Sequence, residues 1–299
     1  LLILVEGCSH TPSLPDHYKR DEAFKPRPKK PIYINLHPKI CFDEGHNNLA
    51  VEHGFYDATL AILENDGYEV IRTKKRFTRD FLKGCHILYT STVAGHPDPT
   101  EKEATESAYD AEELESITKW VKDKGGALLI VSDHGVYATS ASRLLKLFNV
   151  FGSVDLVAEE KSKIPVFNDP GIFTVQGKEL SEQSPIVLGR NFRERLKKIY
   201  YFRGQGLRGP RGADLFLKTP PSAKIGGALG QEALPVTQYP ALGLAFRYGE
   251  GRVAVIGDGS VFAAKVDERN AEKVGVNRPG ADNAQLALNV FRWLSRALR

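Results

Sequence analysis

The chain has 299 residues, of which 41% are hydrophobic, 26% charged and 9% aromatic. This composition is typical of a soluble globular protein of one large domain, and it excludes a fibrous or largely disordered chain. The net charge of +4 is small, and the basic stretches 72–79 and 193–198 lack the interleaved aromatic residues of a base-stacking surface. We therefore expect no nucleic-acid partner and interpret both stretches as solvated faces.

The amino-terminal residues resemble a processed secretion signal. Leu1–Val5 is apolar but too short to span a bilayer, and Cys8 follows a glycine, as the lipidated cysteine of a bacterial lipoprotein would. Glu6 departs from that pattern. Residues 9–31 are polar and rich in Lys and Pro, which is typical of a flexible tether. Two interpretations stay open. In the first, the protein is a lipoprotein of the bacterial cell envelope that is tethered to the membrane through Cys8. In the second, the segment is a disordered tail with a free cysteine, and the protein is either secreted or cytoplasmic.

Residues 32–299 are predicted to form a single α/β domain. Strands are predicted at Lys39–Phe42, Tyr68–Thr73, His86–Thr90 and Ala127–Val131. Helices are predicted at Val51–Asn65, Phe77–Leu82 (a short helix or turn), Asp110–Lys124 and Ala138–Phe148. This alternation predicts a mostly parallel sheet with helices on both faces.

The second half of the chain has a different pattern. Residues 151–240 contain short β-like pieces among Gly and Pro, and they predict a β-rich insertion. Gly243–Tyr248 and Arg252–Ile256 then predict a β-hairpin around a Gly-Glu-Gly turn. Asn283–Leu298 has the apolar spacing of a closing helix.

Two further cysteines, Cys41 and Cys85, lie in or beside predicted strands. We expect buried free thiols, because free cysteine is among the most buried residue types. A disulfide is an alternative if the first and third strands are neighbours and the compartment is oxidising.

Four predicted strands end in clusters of polar residues and glycine. The clusters are Asp43–Asn48, Ser91–His96, Ser132–Gly135 and Gly257–Ser260. In open parallel α/β sheets, ligands bind beyond the carboxyl ends of the strands. The sequence therefore predicts where a site lies, although many such residues only cap helices or form turns.

Two segments near the carboxyl terminus carry a resemblance to a known family. Gly251–Asp258 (GRVAVIGD) and Asp282–Leu294 (DNAQLALNVFRWL) resemble the carboxyl-terminal signature of the class I glutamine amidotransferase-like superfamily, nearest to a bacterial branch related to ThuA-like and GldG-type domains. The resemblance runs from about Pro31 to the end. It implies a flavodoxin-like, three-layer α/β/α fold. True amidotransferases of this class carry a Cys nucleophile with a downstream His and Glu, whereas the matching turn here is Val131–Gly135 (VSDHG), with no Cys. Glutaminase activity is therefore not expected.

The polar clusters favour a hydrolase of the cell envelope or a secreted hydrolase, and a non-catalytic domain is the alternative. The hydrolase would act on a polar substrate, such as a carbohydrate or an amide, with the catalytic candidates Asp43, Glu44, His46, Asp133 and His134. Four of these, Asp43, His46, Asp133 and His134, could instead hold a divalent Zn, Mn or Mg ion with an activated water. The alternative is a non-catalytic domain that binds a small polar ligand or takes part in envelope-complex assembly. The candidates for ligand contact are Asn47, Asn48, Ser132, Asn277, Asp282 and Asn283. Capping of the last helix is the alternative role for Asp282 or Asn283.

Overall fold

A large mixed β-sheet forms the centre of the protein in the computed structural model, which describes residues 17–26, 30–96, 106–226 and 234–299. The strands of these ranges are β1 (Tyr18–Arg20), β2 (Lys39–Asp43), β3 (Glu69–Thr73), β4 (Ile87–Ser91), β5 (Ala127–Val131), β6 (Phe151–Ala158), β7 (Ile172–Gln176), β8 (Lys198–Phe202), β9 (Gln205–Arg208), β10 (Asp214–Lys218), β11 (Lys224–Ile225), β12 (Ala241–Tyr248), β13 (Gly251–Ile256), β14 (Ala264–Asp267) and β15 (Glu272–Gly275). The α-helices are α1 (Leu49–Glu52), α2 (Asp57–Asn65), α3 (Arg79–Leu82), α4 (Ala111–Lys124), α5 (Val136–Leu147), α6 (Pro185–Leu188) and α7 (Asn283–Leu294). The protein is thus of the α/β class.

Five strands of the large sheet are parallel, in the order β3-β2-β4-β5-β13. Strand β3 lies at one end of the sheet. Beyond β13 the sheet continues with antiparallel strands, beginning with β12, which forms the predicted hairpin with β13. Because β2, β4, β5 and β13 run in the same direction, their carboxyl ends meet at one rim of the sheet.

Alternate residues of the central strands bury into two separate cores. On β5, Leu128 and Ile130 pack in the core that contains side chains of α4 and α5. Leu129 and Val131 pack in the core that contains side chains of α2 and α7. Helices therefore cover both faces of the sheet, as the alternating sequence pattern predicts. In the described ranges, no helix has the length and apolar character needed to cross a membrane.

The predicted helix Val51–Asn65 is divided into α1 and α2. Gly54 adopts a φ of +63° between them, a left-handed conformation that interrupts a helix. Residues 151–225 contain the short strands β6 to β11. Gly204 lies in the turn between β8 and β9, and Gln205, the first residue of β9, is fully buried.

Part of the predicted tether is ordered. Tyr18–Arg20 forms β1, which pairs antiparallel with β14 in a small sheet with β15. The expectation of a disordered segment does not hold for these residues, because β14 offers them backbone partners. Residues 1–16, which include Cys8, and residues 27–29 lie outside the described ranges.

Cys41 and Cys85 form a disulfide, with their Cα atoms 5.7 Å apart. The expectation of two free thiols is therefore wrong. The reason is topological, because β2 and β4 are neighbours in the sheet and Cys85 lies just before β4. The separation is within the usual range for a disulfide.

Removing the disulfide by the double substitution Cys41→Ala and Cys85→Ala is expected to destabilise the protein by about 2–4 kcal/mol. The bond closes a sequence separation of 44 residues, so it restricts the unfolded chain substantially. Urea unfolding with and without a reductant measures the effect. Reductant should lower the stability of the wild type to that of the double variant and leave the variant unchanged. Equal stability of the wild type in both conditions would contradict the expectation.

Candidate functional site

The first predicted cluster forms a buried network around His46. Asp43 ends β2 and is fully buried, and its Oδ1 lies 2.8 Å from His46 Nδ1. The second carboxylate oxygen of Asp43 accepts hydrogen bonds from Thr90 Oγ1 at 2.7 Å and from Asn48 Nδ2 at 3.2 Å. The backbone amide of Gly45 donates to Oδ1 at 3.0 Å. The carboxylate is thus held by donors from the loop after β2 and from β4.

The other side of the His46 ring faces a second carboxylate. His46 Nε2 lies 3.2 Å from Oε1 of Glu113, in the first turn of α4. Glu113 also accepts from the backbone amides of Phe77 and Asp110, the latter as part of a capping box. The ring itself is packed against Phe77 and Tyr109, with both ring centroids 4.8 Å away. Both imidazole nitrogens of His46 therefore have protein partners.

This environment changes the charge state of His46. Burial alone lowers the pKa, but the hydrogen bonds and charges of Asp43 and Glu113 outweigh it and raise the pKa from 6.5 to about 10. An imidazole with this pKa is protonated at neutral pH, and a protonated imidazole has no lone pair with which to accept a proton. His46 therefore lacks the property that a general base needs.

The remaining residues of the first cluster also make internal contacts. Glu44 pairs with Arg72, with 3.3 Å between Oε1 and Nη1. Asn47 has a φ of +50° and donates from its amide to the backbone oxygen of Gly95 at 2.6 Å. Asn48 donates to the backbone oxygen of Ser91 at 2.9 Å in addition to its bond with Asp43. The two asparagines thus connect this loop to the segment that follows β4.

The second predicted pair, Asp133 and His134, follows β5. Asp133 Oδ1 accepts from the backbone amide of His134 at 2.8 Å and lies 2.7 Å from its Nδ1. Asp133 Oδ2 accepts from the backbone amide of Gly259, beyond β13, at 3.1 Å. Burial lowers the pKa of His134, but the hydrogen bond and charge of Asp133 outweigh it, and the pKa is raised. His134 is therefore also favoured as a cation.

A cavity of about 470 Å³ opens beside His134. Its wall includes the His134 imidazole, the Arg203 guanidinium and the carboxylates of Asp155 and Asp169. Arg203 Nη1 lies 3.6 Å from Asp169 Oδ2, so these two side chains form an ion pair in the wall. The His134 side chain is 33% exposed, so it is accessible from the solvent. We call this space the rim cavity, because its wall includes His134 and Gly135, which follow the carboxyl end of β5. Its volume is within the range typical of small-molecule sites.

Two residues of the rim cavity have unusual backbone conformations. Gly135 has φ +65° and ψ −134°, a combination that essentially only glycine adopts. Arg203 has a φ of +61°, which is uncommon for any residue other than glycine. Its backbone amide donates to the oxygen of Gly171 at 2.7 Å. Strained positions of this kind concentrate at functional sites.

A fully buried group of polar residues lies behind Asp133. Asp258 follows β13 and accepts from the backbone amides of Phe202 and Ser260 at 2.5 and 2.7 Å. Burial, together with the charge of Asp133, raises the Asp258 pKa well above its ordinary value. Burial lowers the pKa of Lys265, whose Nζ donates to Ser260 Oγ at 2.7 Å. These residues lie inside the protein, so we interpret them as support for the loop after β13.

The other residues predicted to contact a ligand make hydrogen bonds within the protein. Ser132 is buried, and its hydroxyl lies 3.5 Å from the backbone oxygen of Tyr137. Asn277 donates to Asp21 Oδ2 at 2.8 Å and to the backbone oxygen of Lys265 at 2.9 Å. Asp282 Oδ2 accepts from the backbone amides of residues 197 and 198 at 2.7 and 3.0 Å, and its side chain makes no cap hydrogen bond. Asn283 bonds to the backbone of Tyr200 and Val261. These contacts join the last loop to β8 and β14.

The structure gives the two predicted histidines separate partners. His46 lies between Asp43 and Glu113, whereas His134 pairs with Asp133 and lines the rim cavity. Among the described residues, no group of three or more His, Cys, Asp or Glu side chains is arranged to hold a metal ion. The four predicted metal ligands, all of them described, thus do not form such a group.

The sequence interpretation missed Glu113, Arg203 and Asp169. Glu113 had a local signal, because Asp110 and Glu113 have the spacing of a capping box. Arg203 and Asp169 lie within residues 151–240, where the strand pairing could not be predicted from the sequence. Their place beside His134 follows from the pairing of β6 with β9, which no local pattern indicates.

The chain matches no protein-family model. It also matches no curated protein at the required significance. Among solved structures, the mmIFT52 N-terminal domain aligns with a TM-score of 0.61 at 18% identity, over 86% of this chain and 97% of that chain. A cytoplasmic protein from Salmonella typhimurium, STM3548, aligns with a TM-score of 0.50 at 15% identity, over 86% and 98% of the two chains. A ThuA-like protein from Bacteroides uniformis aligns with a TM-score of 0.48 at 11% identity, over 88% and 93%.

These similarities concern the fold. The alignments with the mmIFT52 N-terminal domain and with STM3548 support an α/β fold, in agreement with the large mixed sheet. At identities below 20%, they do not transfer an activity to this chain.

Proposed function

We propose that this chain is a non-catalytic binding domain of the class I glutamine amidotransferase-like superfamily, with a flavodoxin-like three-layer core, and that it binds a small polar ligand in the rim cavity. The ligand class that fits best is a carbohydrate or related polyhydroxylated molecule carrying a carboxylate. The hydrolase, which the sequence favours over a binding domain, stays a prediction.

The environment of His46 carries this proposal. A hydrolytic site that uses an imidazole as its base needs that imidazole neutral, yet Asp43 and Glu113 raise the pKa of His46 to about 10. His46 has no free ring nitrogen for a substrate. Ser132 is buried, and the turn lacks a cysteine. The groups that remain suit binding better than covalent chemistry.

The lining of the rim cavity supports the ligand class. Arg203 offers positive charge and further N–H donors to a carboxylate in addition to its ion pair with Asp169, and the raised pKa of His134 favours a second cation beside it. Asp155 and Asp169 offer acceptors to hydroxyl groups, and Pro170 adds an apolar surface. Mixed donors and acceptors over a partly apolar wall are typical of sites that fix the orientation of a polar ligand.

A location in the bacterial cell envelope or outside the cell is part of this proposal. The disulfide between Cys41 and Cys85 supports it, because disulfides persist in oxidising compartments and are rare in the cytosol. A membrane tether through Cys8 would be compatible with this location.

The proposal is tested with glucuronate as the probe and glucose as the uncharged comparison, by isothermal titration calorimetry. We expect glucuronate to bind more tightly than glucose. Arg203→Ala and His134→Gln should each weaken glucuronate binding about tenfold, since each removes one charge-assisted hydrogen bond. Binding should also weaken as the pH rises through the raised pKa of His134, because the cation is lost there. His134→Gln should abolish this pH dependence.

Arg247→Ala is the matched control, because Arg247 is an exposed arginine on β12 outside the cavity wall. Equal affinities in the wild type and in both cavity variants would contradict the assignment of the cavity. Turnover of nitrophenyl glycosides or esters that is lost in His134→Gln would instead establish the hydrolase.

A further inference from the structure

The loop between α6 and β8 has an unusual surface. Residues 188–198, which we call the basic loop, contain five cationic side chains, namely Arg190, Arg193, Arg195, Lys197 and Lys198. The same loop exposes two apolar side chains. Phe192 is 77% exposed and Leu188 is 36% exposed. A Phe side chain left in water forgoes the favourable transfer of a large apolar surface, so its exposure here needs a reason.

The positive charge of the basic loop is not neutralised. Its single carboxylate, Glu194, is 12% exposed and faces inward, where it pairs with Arg190 and Arg292. Within the described ranges, no carboxylate oxygen lies within 4.0 Å of a side-chain nitrogen of Arg193, Arg195 or Lys197. Arg193 instead lies over the Phe192 ring, 5.5 Å from its centroid.

The basic loop is held firmly on the domain. Asn289 of α7 donates to the backbone oxygens of Ile186 and Glu194 at 2.8 and 2.9 Å. The backbone amide of Leu196 donates to the oxygen of Val187 at 2.8 Å. Asp282 accepts from the amides of two loop residues, as described above. A surface ordered in advance loses little conformational entropy on binding.

We propose that the basic loop binds the surface of an anionic phospholipid bilayer. Phe192 would enter the headgroup region, and the guanidinium and ammonium groups would lie among the phosphates. An aromatic side chain flanked by cations suits such a surface, because the ring can contact the apolar acyl region while the cations contact the anionic headgroups. Long cationic side chains also place their stems along apolar material while their charges stay in water. Leu188 favours a bilayer over a nucleic acid, because an aliphatic side chain offers no plane on which a base can stack.

The expected effects follow from the same chemistry. Each cation close to an anionic surface strengthens binding about fivefold, so Arg193→Gln with Arg195→Gln should weaken it about 25-fold. Phe192→Ala should weaken binding about tenfold, because it removes the buried aromatic ring. Raising the salt concentration should weaken binding of the wild type, since the cations and the surface are exposed to screening.

The experiment measures co-sedimentation of the full chain with vesicles of phosphatidylcholine, with and without phosphatidylglycerol. Matched controls are Leu36→Ala, which removes an apolar side chain that is 71% exposed elsewhere, and Arg208→Gln, whose cation lies 4.6 Å from the Phe151 ring. Both should bind like the wild type. Because every substituted side chain is exposed, thermal unfolding should be the same in all variants.

Three results would overturn the proposal. The first is the absence of wild-type binding to vesicles with phosphatidylglycerol, and the second is equal binding of the wild type and the loop variants to them. The third is tighter binding to a duplex DNA than to vesicles, lost in the same loop variants, which would assign the basic loop to nucleic acid.

Discussion

Replacing His46 with alanine is expected to lower the free energy of unfolding by about 3–5 kcal/mol, because it leaves buried charges without a partner. His46 lies between the carboxylates of Asp43 and Glu113, with both ring nitrogens engaged. Without the imidazole, the two carboxylates remain buried beside an empty space, which the His46 ring otherwise fills by packing against Phe77 and Tyr109. Urea unfolding of the purified variant measures the loss.

The stability lost on substituting His46 is also expected to depend on pH. The pKa of His46 is about 10 in the folded protein and about 6.5 in an unfolded chain. Its stabilising contribution is therefore complete below about pH 6.5 and is lost as the pH rises toward 10. The difference in stability between the wild type and His46→Ala should shrink over this interval. His53→Ala is the matched control, because His53 is exposed and should show neither effect. A pH-independent difference would mean that His46 acts only through packing.

Replacing Arg292 with methionine is expected to cost a similar amount, about 3–5 kcal/mol. Arg292 lies in α7 with 1% of its side chain exposed, and it binds Asp66 in a bidentate pair at 2.8 and 2.7 Å. Its Nη1 is 3.1 Å from Glu194. Methionine fills much of the space but leaves the Asp66 carboxylate buried and unpaired. Thermal and urea unfolding measure the loss.

A double-mutant cycle separates charge from packing in this pair. Asp66→Asn combined with Arg292→Met should recover part of the stability that Arg292→Met loses, because the unpaired charge is then gone. Arg292→Lys should be intermediate, since lysine keeps the charge but not the bidentate geometry. Strictly additive effects of the two single substitutions would show that the ion pair is not the cause.

Much of the fold could be predicted because its signals are local. Ala127–Val131 is a continuous apolar run, and β5 has the same bounds. Asp110 is the N-cap residue of α4, a position that aspartate often occupies. Gly125 ends that helix with a φ of +72°. The hairpin of β12 and β13 follows from the apolar segments around a Gly-Glu-Gly turn. Each feature depends on residues within one turn or one strand of each other.

The features that could not be predicted depend on distant residues. The distant partner of His46 is Glu113, 67 positions away, and the two side chains meet because the first turn of α4 lies beside the loop after β2. Cys41 meets Cys85 only because β2 and β4 are adjacent in the sheet. The sequence predicted that Asp43 and His46 lie in one loop after β2, but not that their side chains form a hydrogen bond with each other. A short polar cluster after a strand has the same composition whether its side chains bind a ligand or form hydrogen bonds with one another.

The end strand of the large sheet bears on self-association. An unpaired strand edge can recruit a second chain into a shared sheet. Strand β3 is only five residues long, and it is followed directly by the exposed cations Lys74, Lys75 and Arg76. Two copies approaching edge to edge would bring these like charges together. We therefore expect neutral residues at positions 74 and 75 to make the protein precipitate at lower concentrations, whereas Arg76 is already paired with Asp110.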